Sequence, residues 1–277
     1  VDIDTARDRL DNVQRVENPL VKVDLAAKNP NISALGFANV GNQVFVYDVD
    51  HLYEVVVDQV QDPLNIDDEE QVIAATGFDD RKSVVFLTKN GNLIEYRDGT
   101  MSFMDTEGGT FHKGVKIKDW SSRIYMLDPA AGKIWRYTYK GTRDQFGEAE
   151  EYVTDQTDLS KMVDLAIDGN VFTLDSSGDL FKFYAGAKVD FYIDNPPFGN
   201  LKDPSVIYTT EKLNEVYVLD SAENRVVVYQ KDSRTGNLVY QSQYLFDSVD
   251  ELRDLYVDET TKTMSVLTAT KILEVSL

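Results

Sequence analysis

NEVYVLDSAENRVVVYQ, residues 214–230, reads as two short β runs around a turn. Val216 to Leu219 are strand-forming residues, Asp220 to Asn224 carry turn chemistry, and Val226 to Tyr229 make the second run. Five other segments fit the same frame: 42–55, 82–97, 122–138, 169–184 and 262–275. Aligned on the residue before the turn, the anchors are Tyr47, Leu87, Leu127, Leu174, Leu219 and Leu267, spaced by 40, 40, 47, 45 and 48 residues. The next residue is Asp48, Thr88, Asp128, Asp175, Asp220 or Thr268, each with a short side-chain oxygen able to accept a hydrogen bond from the turn backbone. A period of about 40–50 residues with strands in every copy marks a β-propeller. The expected fold is all-β: six blades of four antiparallel strands.

Composition narrows the function. The 277 residues carry a net charge of −20, a surface that repels phosphate backbones and anionic headgroups, so nucleic-acid and membrane-surface binding are not expected. No apolar run is long enough to cross a bilayer by direct insertion. The absence of cysteine excludes disulfides, thiolate nucleophiles and cysteine zinc sites. A start at Val1 suggests a processed piece with a targeting or membrane segment upstream.

The expected organisation is a connector over 1–18 and one propeller over 19–277. Residues 2–16 read as a short helix capped by Asp4 or Thr5, with an apolar stripe of Ala6, Leu10 and Val13, stopped at Asn18-Pro19. Leu20 to Leu25 alternates as a strand without local partners, while the sixth repeat ends after its third strand. The N-terminal strand should therefore close the last blade beside Lys271–Leu277. Inner strands are expected at 34–39, 72–78, 115–120, 162–167, 205–210 and 253–258. Outer strands are clearest at 101–104, 189–193 and 239–246 and around 150–153; Asp62-Pro63 interrupts that of blade 1. The long loops 58–71, 105–114, 154–161, 194–204 and 247–252 share one face with the anchor turns, the face where propellers usually bind.

On that face, Phe111 and His112 stand beside Gly108-Gly109, and Asn195-Pro196-Pro197-Phe198 offers an aromatic on a stiff stem. These four residues, Phe111, His112, Asn195 and Phe198, are the candidate binding residues. Asp48, Asp128, Asp175 and Asp220, with the two threonines, either tie their own turns or form a ring that holds calcium. Threonine standing twice in their place favours the first reading. His51 and His112 lie outside any zinc-enzyme spacing, and no nucleophile elbow, P-loop or dinucleotide fingerprint occurs. No catalytic residue and no obligatory cofactor is therefore assigned.

The pattern of an inner strand followed by V-Y-V-L-D-S-x-x-N-R-V, matched closely by 214–228 and less closely by 162–183 and 117–137, resembles six-bladed NHL/TolB-like propellers. ARDRLDNVQRVENPLVKVDL ahead of a propeller also looks like the extracytoplasmic C-terminal regions of bacterial membrane-anchored proteins, some carrying a protein-phosphatase-2C-like domain inside the cell. That resemblance implies a binding or sensing module, tethered through residues 1–18 outside the cytoplasm. The reading is a monomeric, non-catalytic propeller presenting its loop face to a protein, peptide or glycan. The alternative is a calcium-dependent hydrolase or lactonase with its site at the channel mouth.

Overall fold

The computed structural model describes residues 3–197 and 199–277; Val1, Asp2 and Phe198, and the side chains of 3–5 and 7, lie outside the described residues. The helix start at residue 2, its caps at Asp4 and Thr5, and the Phe198 anchor fall there.

The chain forms six antiparallel sheets in a closed ring. The inner strands are Gly36–Phe37, Val72–Phe78, Lys116–Asp119, Met162–Ile167, Pro204–Tyr208 and Asp254–Asp258. Each pairs with the first strand of a central hairpin, such as Glu215–Asp220 and Arg225–Lys231 in blade 5. These middle strands are packed on both faces, so they read as nearly unbroken apolar runs: every residue of Ser83–Thr88 is buried. Six apolar clusters fill the wedges between and within blades, for example Phe86, Tyr47 and Ile94 between blades 1 and 2.

Ring closure follows the expected route. Leu20–Asp24 is the outer strand of blade 6 and pairs with Lys271–Ser276, Leu20 opposite Glu274 and Asp24 opposite Lys271. Blade 1 shows the effect of Asp62-Pro63. Its outer strand is split into Gln59–Val60 and Leu64–Asn65, both paired with His51–Val56, because proline has no N–H to give the ladder.

Two expectations are corrected. The N-terminal helix covers Ile3–Leu10 only, and Val13–Val16 is a strand running parallel to the outer strand of blade 5, Val13 opposite Gln243 and Val16 opposite Phe246. The stripe had little to bury: Leu10 is 84% exposed, whereas Val13–Val16 gains a full ladder at an open edge. The outer strand of blade 4 is Ala187–Lys188, not 189–193, and Ile193–Asp194 instead joins the outer edge of blade 5. Blade 5 attracts both pieces because its outer strand, Leu238–Phe246, is nine residues long and offers edge to spare.

Candidate functional site: the loop face and the channel mouth

The anchor turns are built as the sequence suggests in five of six blades. Asp48 Oδ1 accepts from the N–H of Asp50 (3.1 Å) and His51 (2.7 Å), while its Oδ2 accepts from the Tyr53 hydroxyl (2.8 Å). Asp128 accepts from Ala131 N–H and from Trp135 Nε1, both at 3.0 Å. Asp175 Oδ1 accepts from the N–H of Ser177 (2.8 Å) and Asp179 (2.9 Å). Thr88 and Thr268 accept from Asn92 (3.2 Å) and Lys271 (3.0 Å) N–H.

Asp220 departs from the pattern. Its turn is a short 3-10 helix that draws no hydrogen bond from it. The carboxylate instead holds the N–H groups of Lys202 (3.0 Å) and Asp203 (2.8 Å) and pairs with Arg225 (2.9 Å), and its residue is 0% exposed. Arg225 also donates to the Asn200 carbonyl, and Leu201 packs against the blade 4 turn at Gly178. The C-terminal half of the 194–204 loop is thereby clamped over blades 4 and 5. Asn195 is exposed at the other end of that loop, in a left-handed conformation with φ 51°.

The aromatics of the 105–114 loop are engaged. Phe111 meets Tyr137 edge-on at 5.0 Å and Phe146 at 5.9 Å, on the flank of the cluster between blades 2 and 3. His112 lies flat on Trp135, 3.7 Å between ring centres and 6° between planes. Two glycines did not leave this loop free, because two buried rings wait beneath it. His51 Nδ1 contacts Asp50 at 2.6 Å and Asp48 at 3.5 Å. This is the one group of three metal-capable side chains among the described residues, and Asp48 has already given both oxygens to its turn.

A groove of about 550 Å³ opens at blade 4, walled by the 155–161 loop, the Asp175 turn and the outward side of the blade. Asp155 and Asp158 brace its loop through Thr157 and Ser160. The Lys188 ammonium stands 4.9 Å from the Phe181 ring centre, and Lys161 lines the opening. No local sequence signal marks this groove, since its walls come from a loop, a turn and two strands.

The channel wall was also missed. The residues of the inner strands that pair with the anchor leucines, or with Tyr47, form one layer near the loop face: Gly36, Ala74, Lys116, Asp164, Val206 and Asp254. Two residues further along lie Ala38, Thr76, Lys118, Ala166, Tyr208 and Tyr256. Asp164 Oδ2 accepts from Ile207 N–H of the next blade (2.9 Å), and Asp254 Oδ2 from Phe37 N–H (2.7 Å). Asp254 Oδ1 takes Leu255 N–H (2.8 Å). The inner strands of neighbouring blades are thus stitched at the channel wall. Burial pushes the Asp254 carboxyl above the usual carboxylate range, against the pull of Lys118 and Lys116. Burial likewise raises the Tyr47 hydroxyl, with the charges of Asp254 and Asp164 adding to it. A Cβ at position 36 would fall 2.8 Å from both Asp254 Oδ2 and the Tyr47 oxygen, so only glycine leaves room for that convergence.

No family model matches the sequence, and no curated protein is significantly similar to it. Solved structures do share the fold. A gluconolactonase from Xanthomonas campestris is 12% identical, with 92% of this chain and 88% of that one covered at a TM-score of 0.62. A chain of the mitotic checkpoint complex is 11% identical over 95% and 97%, TM-score 0.61. YCF48 bound to D1 peptide is 13% identical over 89% and 94%, TM-score 0.56. At such identities the likeness establishes the architecture: this chain is a six-bladed β-propeller.

Proposed function

We propose that the domain is a non-catalytic recognition propeller whose loop face takes a protein or peptide. The observation that carries this reading is the blade 4 groove: its volume suits an extended segment, and Phe181, Lys161 and Lys188 offer one apolar and two cationic contacts in it. The anchor aspartates support the same reading, because their oxygens are committed to turns and loops and leave no ring of free ligands for calcium. The sequence adds Phe198, in the 194–204 loop, as a further candidate contact. In keeping with the resemblance of its N-terminal segment to membrane-anchored bacterial proteins, we read the domain as lying outside a bacterial cytoplasm, tethered through residues 1–18.

The test is selection of a random peptide library on the immobilised domain. Enriched peptides should lose at least tenfold in affinity on Phe181→Ala or Phe198→Ala, with the melting temperature unchanged, since an aromatic anchor at an interface is worth about 2 kcal/mol. Peptides indifferent to both variants would refute the face assignment. Turnover in a lactone or ester screen, lost on Asp164→Asn, would replace it with the enzyme reading.

A further inference from the structure

The channel mouth holds charges that the fold does not neutralise. Asp164 is 1% exposed, yet its Oδ1 has no hydrogen-bond partner among the described residues. An orphaned buried carboxylate oxygen destabilises the fold, so packing alone gives no reason to keep it. By register Asp164 belongs to the channel layer, on the innermost strand of blade 4 opposite Leu174. Asp164 leans over the neighbouring inner strand to reach Ile207 N–H, and its charge is felt by the Tyr47 hydroxyl, which comes from the opposite blade.

In the same two layers, Lys116 and Lys118 project from blade 3, on the strand face opposite buried Ile117. Neither makes an ion pair or side-chain hydrogen bond with any described residue, though both act on Asp254 from across the channel. Two ammonium groups on blade 3 therefore share the channel layers with Asp164 on the neighbouring blade and Asp254 on the opposite one, without contact between them.

A bare divalent cation fits this poorly: the lysines repel it, and three of the four aspartate oxygens already accept backbone N–H bonds. A simple anion meets the opposite objection from the aspartates. A ligand with both charges answers each. We propose that the channel mouth binds a small zwitterion, an amino acid whose ammonium donates to Asp164 Oδ1 and whose carboxylate meets Lys116 and Lys118. This site is separate from the loop-face groove and stands whether or not that groove takes a peptide.

The experiment is isothermal titration of the domain with the series from glycine through β-alanine and 4-aminobutyrate to 6-aminohexanoate, with butylamine and butyrate as single-charge controls. At least one amino acid should bind with one-to-one stoichiometry, at least tenfold tighter than either control. Asp164→Asn and Lys116→Met should each weaken it tenfold or more, while Asp175→Ala leaves it unchanged. Lys116→Met keeps the test decisive if Asp164→Asn does not fold, because Lys116 has no structural partner. No saturable binding by any member, binding no tighter than butylamine, indifference to Lys116→Met, or competition by calcium would each overturn the proposal.

Discussion

Asp119→Asn should make the protein more stable at neutral pH and not in acid. Asp119 ends the inner strand of blade 3, at the channel end away from the loop face. Burial, and then the charge of Asp79, push its carboxyl up to about 7; a backbone hydrogen bond from Asp79, Lys118 and the Thr76 hydroxyl only partly offset them. In the unfolded chain the same group titrates near 3.9, so the difference corresponds to a ceiling of about 4 kcal/mol. The folded state holds the proton more tightly. The contribution of Asp119 to stability is therefore complete below about pH 4, falls as pH rises toward 7, and stays at its unfavourable limit above that. Asparagine keeps one acceptor for Thr76 and Asp79 and carries no charge. Allowing for water in the channel and one lost acceptor, the gain at pH 8 should be about 1–3 kcal/mol, or roughly 2–4 °C in melting temperature per kcal/mol at this chain length. Calorimetric melting of both proteins from pH 3.5 to 8 measures it. A difference that does not change with pH, or a variant less stable at pH 8, would refute the assignment of a strained carboxylate here.

Asp175→Ala should cost about 1 kcal/mol, the loss of turn bonds, whereas Asp220→Ala should cost about 3 kcal/mol because it leaves Arg225 without its buried partner and frees the 194–204 loop; urea melts separate the two. Arg81→Ala should cost about 3–5 kcal/mol at pH 7, since Arg81 holds Glu95 through two bonds of 2.6 and 2.7 Å. Burial is the largest influence and works against the Glu95 charge, but hydrogen bonding to Arg81 and Ser83 together with the charges of Arg81 and Arg97 keeps its titration below normal. That stabilisation is present above the usual glutamate range and lost as pH falls through the lowered value, so the gap between wild type and variant should close in acid. Removing residues 1–25 should abolish cooperative melting, because blade 6 loses its outer strand. Removing 1–16 should lower the melting temperature and promote self-association on sizing columns, since the outer edge of blade 5 loses the Val13–Val16 ladder.

The blades were legible because each repeat must satisfy the same packing. The anchors Leu87, Leu127, Leu174, Leu219 and Leu267 are all fully buried, and a short apolar strand run with turn chemistry after it, repeated every 40–48 residues, has few other uses. Val13–Val16 was illegible for the converse reason. Its burial pattern is weak, and what fixes it is the unclaimed edge of Leu238–Phe246, more than two hundred residues away. Asp220 shows the limit of aligning turns: the same residue type at the same repeat position serves a neighbouring loop once that loop is long enough to reach it. Phe111 shows the limit of reading loop aromatics as exposed, since Tyr137 and Phe146 lie in wait beneath the loop.

The channel layer escaped for a reason built into the fold. Each blade contributes one residue to it, so Lys116, Asp164 and Asp254 share a layer although 48 and then 90 residues of chain separate them. No local motif can record such a set, yet the anchors locate it, because register pairs each member with an anchor on the adjacent strand. The anchors face blade interiors and are held to bulky apolar side chains. Their partners, Gly36, Ala74, Lys116, Asp164, Val206 and Asp254, lie on the innermost strands and differ in size and charge, although Ala74 and Val206 still join the apolar clusters. Structural constraint and chemical freedom thus sit on opposite members of the same pairs. Charges left unneutralised at the free positions are where this propeller's specificity is most economically read.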